Sequence, residues 1–228
     1  GNFQDFNASL SGEGLKDLMA ECRLSKTLVF APDNSLVVDL VDREENIKGL
    51  VWVNPKDKGS LDILPSLLEK KGFVGIKLHP LFDGYMPDSD VMVPALEAAE
   101  EFSCPVLVHC GHPPFTLPWS FAEPARRFPE VDIVLEHMGH GHIVYVNAAI
   151  KVAMKYPNIY LETSGMPMHT KIREAVEVVG DDRVLYGLDA PFGHPVFELS
   201  RFMVAGLDED VLRKVLFGNA EKIFGEQK

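Results

Sequence analysis

Short apolar, β-branched runs recur along the chain, separated by stretches with helical spacing. The runs begin at Thr27 (TLVF), Ile47 (IKGLVWVNP), Phe73 (FVGIKLHP), Pro105 (PVLVHC), Asp132 (DIVLEH), Asn158 (NIYLETS) and Arg183 (RVLYGLD), at spacings of 20 to 32 residues. Within each run apolar positions follow one another without clean alternation, as in strands covered on both faces. Residues 61–71, 91–102, 121–128, 144–156 and 171–179 carry the helical period between them. Strand, helix, strand at this repeat predicts right-handed βαβ units and a parallel sheet. Lys71-Gly72, Tyr156-Pro157-Asn158 and Gly180-Asp181-Asp182 stand just before strands, where glycine and proline end helices. The tail, 208–224, reads as a closing helix capped by Asp208, with Leu212, Val215, Leu216, Ala220 and Ile223 on one face.

Seven such strands predict an α/β fold of the (β/α)8 TIM-barrel type with its first strand absent from this chain, because that barrel takes eight. The doubly wound alternative is disfavoured, since no GxGxxG or GxxxxGK[ST] turn follows the first run. No Pro/Ser-rich linker or low-complexity stretch intervenes, so residues 1–228 read as a single domain. A missing barrel strand leaves two unpaired edges. Residues 1–10, a partner chain, or both are expected to cover the gap.

Composition narrows the partners. With 46% apolar and 25% charged residues the chain is ordinary globular protein. Its 22 Lys+Arg against 34 Asp+Glu give a formal charge of −12 and no long basic run, so nucleic acid is not expected. A bound metal could still reverse the local field for an anionic substrate. No apolar stretch approaches the ~20 residues of a membrane span, and the first residues have no basic-then-apolar leader. A cytoplasmic protein without a membrane partner is the expectation. Cys22, Cys104 and Cys110 form neither an even set nor a CxxC, which fits reduced core thiols.

All eight histidines lie at or just after a strand end: His79, His109, His112, His137, His140, His142, His169 and His194. The carboxyl ends of parallel strands form the mouth where ligands bind, and imidazoles there suit metal binding or proton transfer. By the two-residue period His109 shares a face with Leu107, His137 with Ile133 and Leu135, and Lys77 with His79. Asp189 reads as the last strand residue before Ala190-Pro191. Period alone leaves open which face is inward. His109, His137 and Asp189, from separate strands, are the candidate ligands of a divalent metal, zinc first. Lys77, His79 and His112 are candidate substrate contacts, with Lys77 alternatively snorkelling out of the core. The remaining histidines read as loop residues and Cys110 as packing.

Six strings, GIKLHP, PVLVHCGHPP, DIVLEHMGH, NIYLETSG, DRVLYGLDAPFGHP and LFGNAEKIFG, resemble in that order the strand-end motifs of the amidohydrolase-related family. This is the metal-dependent TIM-barrel branch that includes amino-carboxymuconate-semialdehyde and γ-resorcylate decarboxylases. The resemblance runs from about residue 14 to 224. It implies His109 as a metal ligand and Asp189 as a ligand that handles the proton of an attacking water. His137 falls on an acid/base or substrate-polarising residue that is sometimes a ligand, and Lys77 and His79 fall near the mouth. Two departures stand out: no His-x-His pair precedes the first helix, and Gly187-Leu188-Asp189 replaces the family's Gly-Ser-Asp.

The implied function is a metal-dependent hydrolase acting on a small molecule through metal-activated water, with Asp189 and His137 catalytic. Alternatives are a decarboxylase or other lyase, a metal-free lactonase, or a catalytically inactive barrel used for binding. A homo-oligomer is also open. Phe82, Tyr85, Phe115, Trp119, Met166, Met168 and Phe192 in the loops suggest a small ring-bearing or carboxylated substrate.

Overall fold

In the computed structural model, which describes residues 2–3 and 8–225, the apolar runs become one parallel sheet. A short antiparallel pair, β1 (Asn2–Phe3) and β2 (Ala8–Ser9), comes first and forms a sheet of its own. The parallel strands follow: β3 (Thr27–Val29), β4 (Ile47–Trp52), β5 (Phe73–Leu78), β6 (Val106–His109), β7 (Ile133–Glu136), β8 (Ile159–Glu162) and β9 (Val184–Leu185). Their spatial order is their chain order, β3 to β9, as successive βαβ units require. The architecture is a (β/α)8-type barrel with seven strands, open between β3 and β9. Neither β1 nor β2 pairs with those two edges. Residues 1 and 4–7 lie outside the described residues.

Helices follow the strands: α1 (Gly12–Glu21), α2 (Asn34–Arg43), α3 (Lys58–Asp62), α4 (Leu64–Leu68), α5 (Pro80–Asp83), α6 (Val93–Glu101), α7 (Ala122–Arg127), α8 (Ile143–Lys155), α9 (His169–Val179) and α10 (Pro195–Val204), with the short α5 at the mouth after β5 and the longer ones against the outer face. Val106, Val108, Ile133, Leu135, Ile159, Leu161 and Val184 face them and pack with Leu96, Ala99, Ile150, Ala175 and Phe202. The alternate strand positions Leu50, Leu107, Val134, Tyr160 and Leu185 fill the inside of the curl with Leu28. Both faces are thus apolar, which is why the runs do not alternate. Each such side chain contributes on the order of 1.5–3 kcal/mol when fully buried.

The tail is the closing helix expected, widened near its middle. It is α11 (Glu209–Arg213), a π turn (Lys214–Gly218) and α12 (Asn219–Phe224). Asp208 holds the cap position, yet its side chain makes no cap bond. The widened turn leaves the Val215 carbonyl to accept from the Tyr186 amide (3.0 Å), a backbone partner just past β9 where the sheet offers none. Ile223 and Phe224 then plug the barrel's amino-terminal end.

Candidate metal and proton-transfer centre

Above the inner apolar layer, the next inward position of each middle strand is polar or aromatic: Trp52 on β4, Lys77 on β5, His109 on β6, Glu136 on β7 and Glu162 on β8. Register carries them there, with Trp52 paired to Lys77 and His109 to Glu136. Lys77 is fully buried and does not snorkel. Its ammonium contacts Glu136 Oε2 and lies 4.6 Å from the Phe30 ring centre and 5.7 Å from that of Trp52. His109 Nδ1 and His137 Nε2 each stand 3.4 Å from the same oxygen. Burial alone would raise the Glu136 carboxyl, but Lys77, His137 and hydrogen bonding hold it well below the carboxylate range.

His137 reaches this group by a backbone device. The two-residue period places it with Ile133 and Leu135, whose side chains face the helices. His137, Met138, Gly139 and His140 instead take φ of 66°, 47°, 88° and 59°, a left-handed turn that swings the imidazole back over the barrel. Such positions cost of order 1–3 kcal/mol per non-glycine residue and collect at functional sites. The turn is held by its surroundings: the His137 amide donates to Glu162 Oε2 (3.0 Å) and the His140 amide to the His137 carbonyl (2.6 Å). Gly139 presses on the Tyr145 backbone and Gly111 on Gly139, where an added Cβ would sit 2.5 and 2.4 Å from carbonyl carbons. Two glycines therefore let the loops after β6 and β7 lie backbone on backbone.

Both nitrogens of His137 face acceptors. Nδ1 lies 2.9 Å from the Ser164 carbonyl oxygen, which can only accept, and Nε2 faces Glu136. Burial disfavours the charge, yet Glu136, Glu162 and Asp189 outweigh it and lift His137 to about 9. Its neighbours behave oppositely. Burial, then His109 and Lys77 beside it, lowers His79 to about 2. Burial lowers His109 to about 3 despite the pull of Glu136. These neutral rings stack: Phe82 on His79 (3.8 Å between centres), His79 on His109 (4.1 Å), and His109 on His112 (5.0 Å). His109 Nε2 and His112 Nδ1 are 2.8 Å apart, a hydrogen bond reaching toward the half-buried His112. His140 closes the row against His112 (4.2 Å).

The other histidines play helix-end parts. His142 and His194 are exposed and cap α8 and α10, their Nδ1 atoms accepting from Val144 and Val196, while exposed His169 begins α9. Asp189 is not a strand end. β9 stops at Leu185, and Asp189 stands four residues on with φ 52°. Lacking a further sheet neighbour, the chain leaves the strand at Gly187, whose Cβ would fall 1.9 Å from Glu162 Oε1. Burial, opposed by His137, lifts the Asp189 carboxyl to about 6, and Asp189 in turn is among the groups that raise His137.

Sequence reasoning missed Glu136 and Glu162. The signal was present: a lone acid at the end of an otherwise apolar buried run, in DIVLEH and NIYLETS. Glu162 accepts from the Ser164 amide (2.7 Å) and hydroxyl (2.8 Å) and so fixes the loop that orients His137. Beneath that loop the buried Glu198–Arg201 pair of α10 donates from Arg201 to the carbonyls of Thr163 (2.9 Å) and Met166.

The residues fit a divalent ion. Among the described residues, His109, Glu136 and His137 bring two imidazole nitrogens and a carboxylate oxygen within 4.8 Å of one another, a donor set suited to zinc, manganese and their neighbours. His137 can join it only in its neutral form, and with its proton on it leaves His109 and Glu136 as the donors. Asp189, expected as the third ligand, is not in that group. Among the described residues no helix is long and apolar enough to cross a membrane.

The chain is similar in sequence and in fold to several known proteins. A gamma-resorcylate decarboxylase from Polaromonas sp. (strain JS666) is 31% identical over 115 residues, 43% of this chain and 35% of the relative, so the match spans about a third of that protein's length. The 5-carboxyvanillate decarboxylase of Sphingomonas paucimobilis superposes with a TM-score of 0.75 at 20% identity, covering 98% of this chain and 85% of that one. A manganese-bound 5-carboxyvanillate decarboxylase from Novosphingobium aromaticivorans gives 0.68 at 18% identity, covering 85% and 69%. The sequence profile of the amidohydrolases matches residues 5–225. With nearly the whole chain matched, and with imidazoles and carboxylates gathered at the carboxyl ends of its strands, the protein belongs to the amidohydrolase family.

Proposed function

We propose that this centre decarboxylates a small hydroxylated aromatic acid with the help of a divalent metal, in preference to the hydrolysis first expected. The observation that carries the reading is His137, held between two acceptors so that it presents a proton rather than a vacant lone pair. Hydrolysis calls for a base that takes a proton from water, whereas loss of carbon dioxide from a ring leaves a carbanion that must receive one. The named relatives with decarboxylase activity support the same direction.

His109 and Glu136 would hold the ion, with Asp189 beside them, and the bound ion would supply positive charge that draws electron density from the substrate's oxygens. The face of Phe82, exposed at the mouth and stacked on His79, offers a ring-sized platform. Lys77 keeps Glu136 ionised from below. His137 delivers its proton to the ring carbon as the carboxyl bond breaks, and the Ser164 carbonyl keeps the imidazole in line. Buried Leu107 and Leu50 close off water from beneath.

The test is to load the chain with manganese or zinc and supply 2,6-dihydroxybenzoate or 5-carboxyvanillate, following carbon dioxide release. Turnover that disappears with a chelator and falls at least about 100-fold in His137→Gln is expected. Metal-dependent cleavage of an ester or lactone without carbon dioxide release would restore the hydrolase reading. Absence of any turnover from well-folded, metal-loaded protein would leave a binding barrel.

A further inference from the structure

Helix α10 is built inside out. Its inward face carries Glu198 and Arg201, both buried, beside Pro195 and Phe202. Its outward face carries Val196, Phe197, Leu199, Met203 and Val204, each 39 to 67% exposed, with Phe192 just before them. At 100° per residue those side chains span about 160° of the helix, and no charged residue lies among them. An ordinary surface helix shows the reverse arrangement.

We propose that this face is the interface of a two-fold dimer, with α10 packed against α10 of a second copy. Three features favour a second copy. The first is area: the exposed fractions amount to on the order of 500 Å² of apolar surface, the upper end for a monomer and more than half of the ~800 Å² per partner in a stable complex. The second is charge. Two chains of −12 repel, and contact is cheapest through a face that carries none. The third is shape: Ser200, the one small residue, sits at mid-helix in the centre of the face. Its hydroxyl donates to the Phe197 carbonyl (2.7 Å), so it can be buried with its hydrogen bond already made. A small residue flanked by Val196, Phe197, Met203 and Val204 is the surface a helix presents where a second helix crosses closely, and on a two-fold axis Ser200 meets Ser200. A lipid surface fits less well. Membrane-lying helices carry Lys and Arg on the polar side, and α10 has only the buried Arg201.

Sedimentation velocity of the full chain at micromolar concentration is expected to show the mass of two chains. The double variant Phe197→Glu/Met203→Glu, with an unchanged melting profile, is expected to sediment as a monomer, and Phe197→Leu as a dimer. As a second measurement, Ser200→Cys should give a covalent dimer under mild oxidation that the parent, treated alike, does not. A monomeric parent, a double variant that remains dimeric, no cross-link through Ser200→Cys, or co-sedimentation of the parent with phosphatidylcholine vesicles would each overturn the assignment.

Discussion

Glu136 serves three donors with one oxygen, and the two members of its ion pair should respond unequally to mutation. Glu136→Gln leaves the buried Lys77 ammonium without a counter-charge, a loss of about 3–5 kcal/mol for a broken buried pair. Lys77→Met should cost less, because His137 still faces Glu136 at 3.4 Å and the methionine can pack on Phe30 and Trp52. Urea unfolding at neutral pH in the presence of chelator checks the order. Equal losses would mean that the histidines do not share the charge. Asp83 gives a separate pH effect. One of its oxygens is buried without a partner, and burial, against the pull of Lys56, lifts the carboxyl from 3.8 to about 6. Stability present below pH 3.8 is therefore lost as pH climbs through 6. Asp83→Asn is expected to melt like the parent at the acid end and at higher temperature above that window. A gap independent of pH would remove burial of the charge as its cause. At this scale the sequence was legible where chemistry announces itself by residue type, as with His79, His109, His112 and His137. Glu136 and Glu162 escaped because a glutamate in a β run resembles a solvated end until register shows it facing inward.

The turn after β7 shows what the element scale adds. Alternation puts His137 on the helix side, and only the four positive φ values bring it back. Nothing in HMGH except Gly139 advertises such a turn. Asp189 was misread for a related reason: RVLYGLD has the composition of a longer strand, but β9 has a sheet partner on one side only and Gly187 must press on Glu162. α10 reaches the centre indirectly, through Arg201 to Thr163 and Met166 and so to Ser164. Arg201→Met should cost about 3–5 kcal/mol by leaving Glu198 buried and unpaired. It should also speed hydrogen exchange at residues 163–166, with partial recovery in Arg201→Lys. Unchanged exchange in that loop would show that the ion pair stabilises the helix alone.

Across the whole molecule the repeat of apolar runs was enough to order seven strands and to set the helices between them, because a strand covered on both faces and a helix with one apolar side differ in period. The open side between β3 and β9 was legible as an odd strand number. What lies against it was not, since edge pairing is a property of three-dimensional closure. One consequence concerns how the sheet finds its alignment. Lys77, His109, Glu136 and Glu162 come from four neighbouring strands, and each is buried. If any of these strands slid by a single position, its polar or charged group would turn toward the helices and an apolar one would enter the ring, stranding unpaired polar groups in oil. The same side chains that are suited to reaction therefore proofread assembly: a misaligned barrel is penalised at the point where it would also be inert.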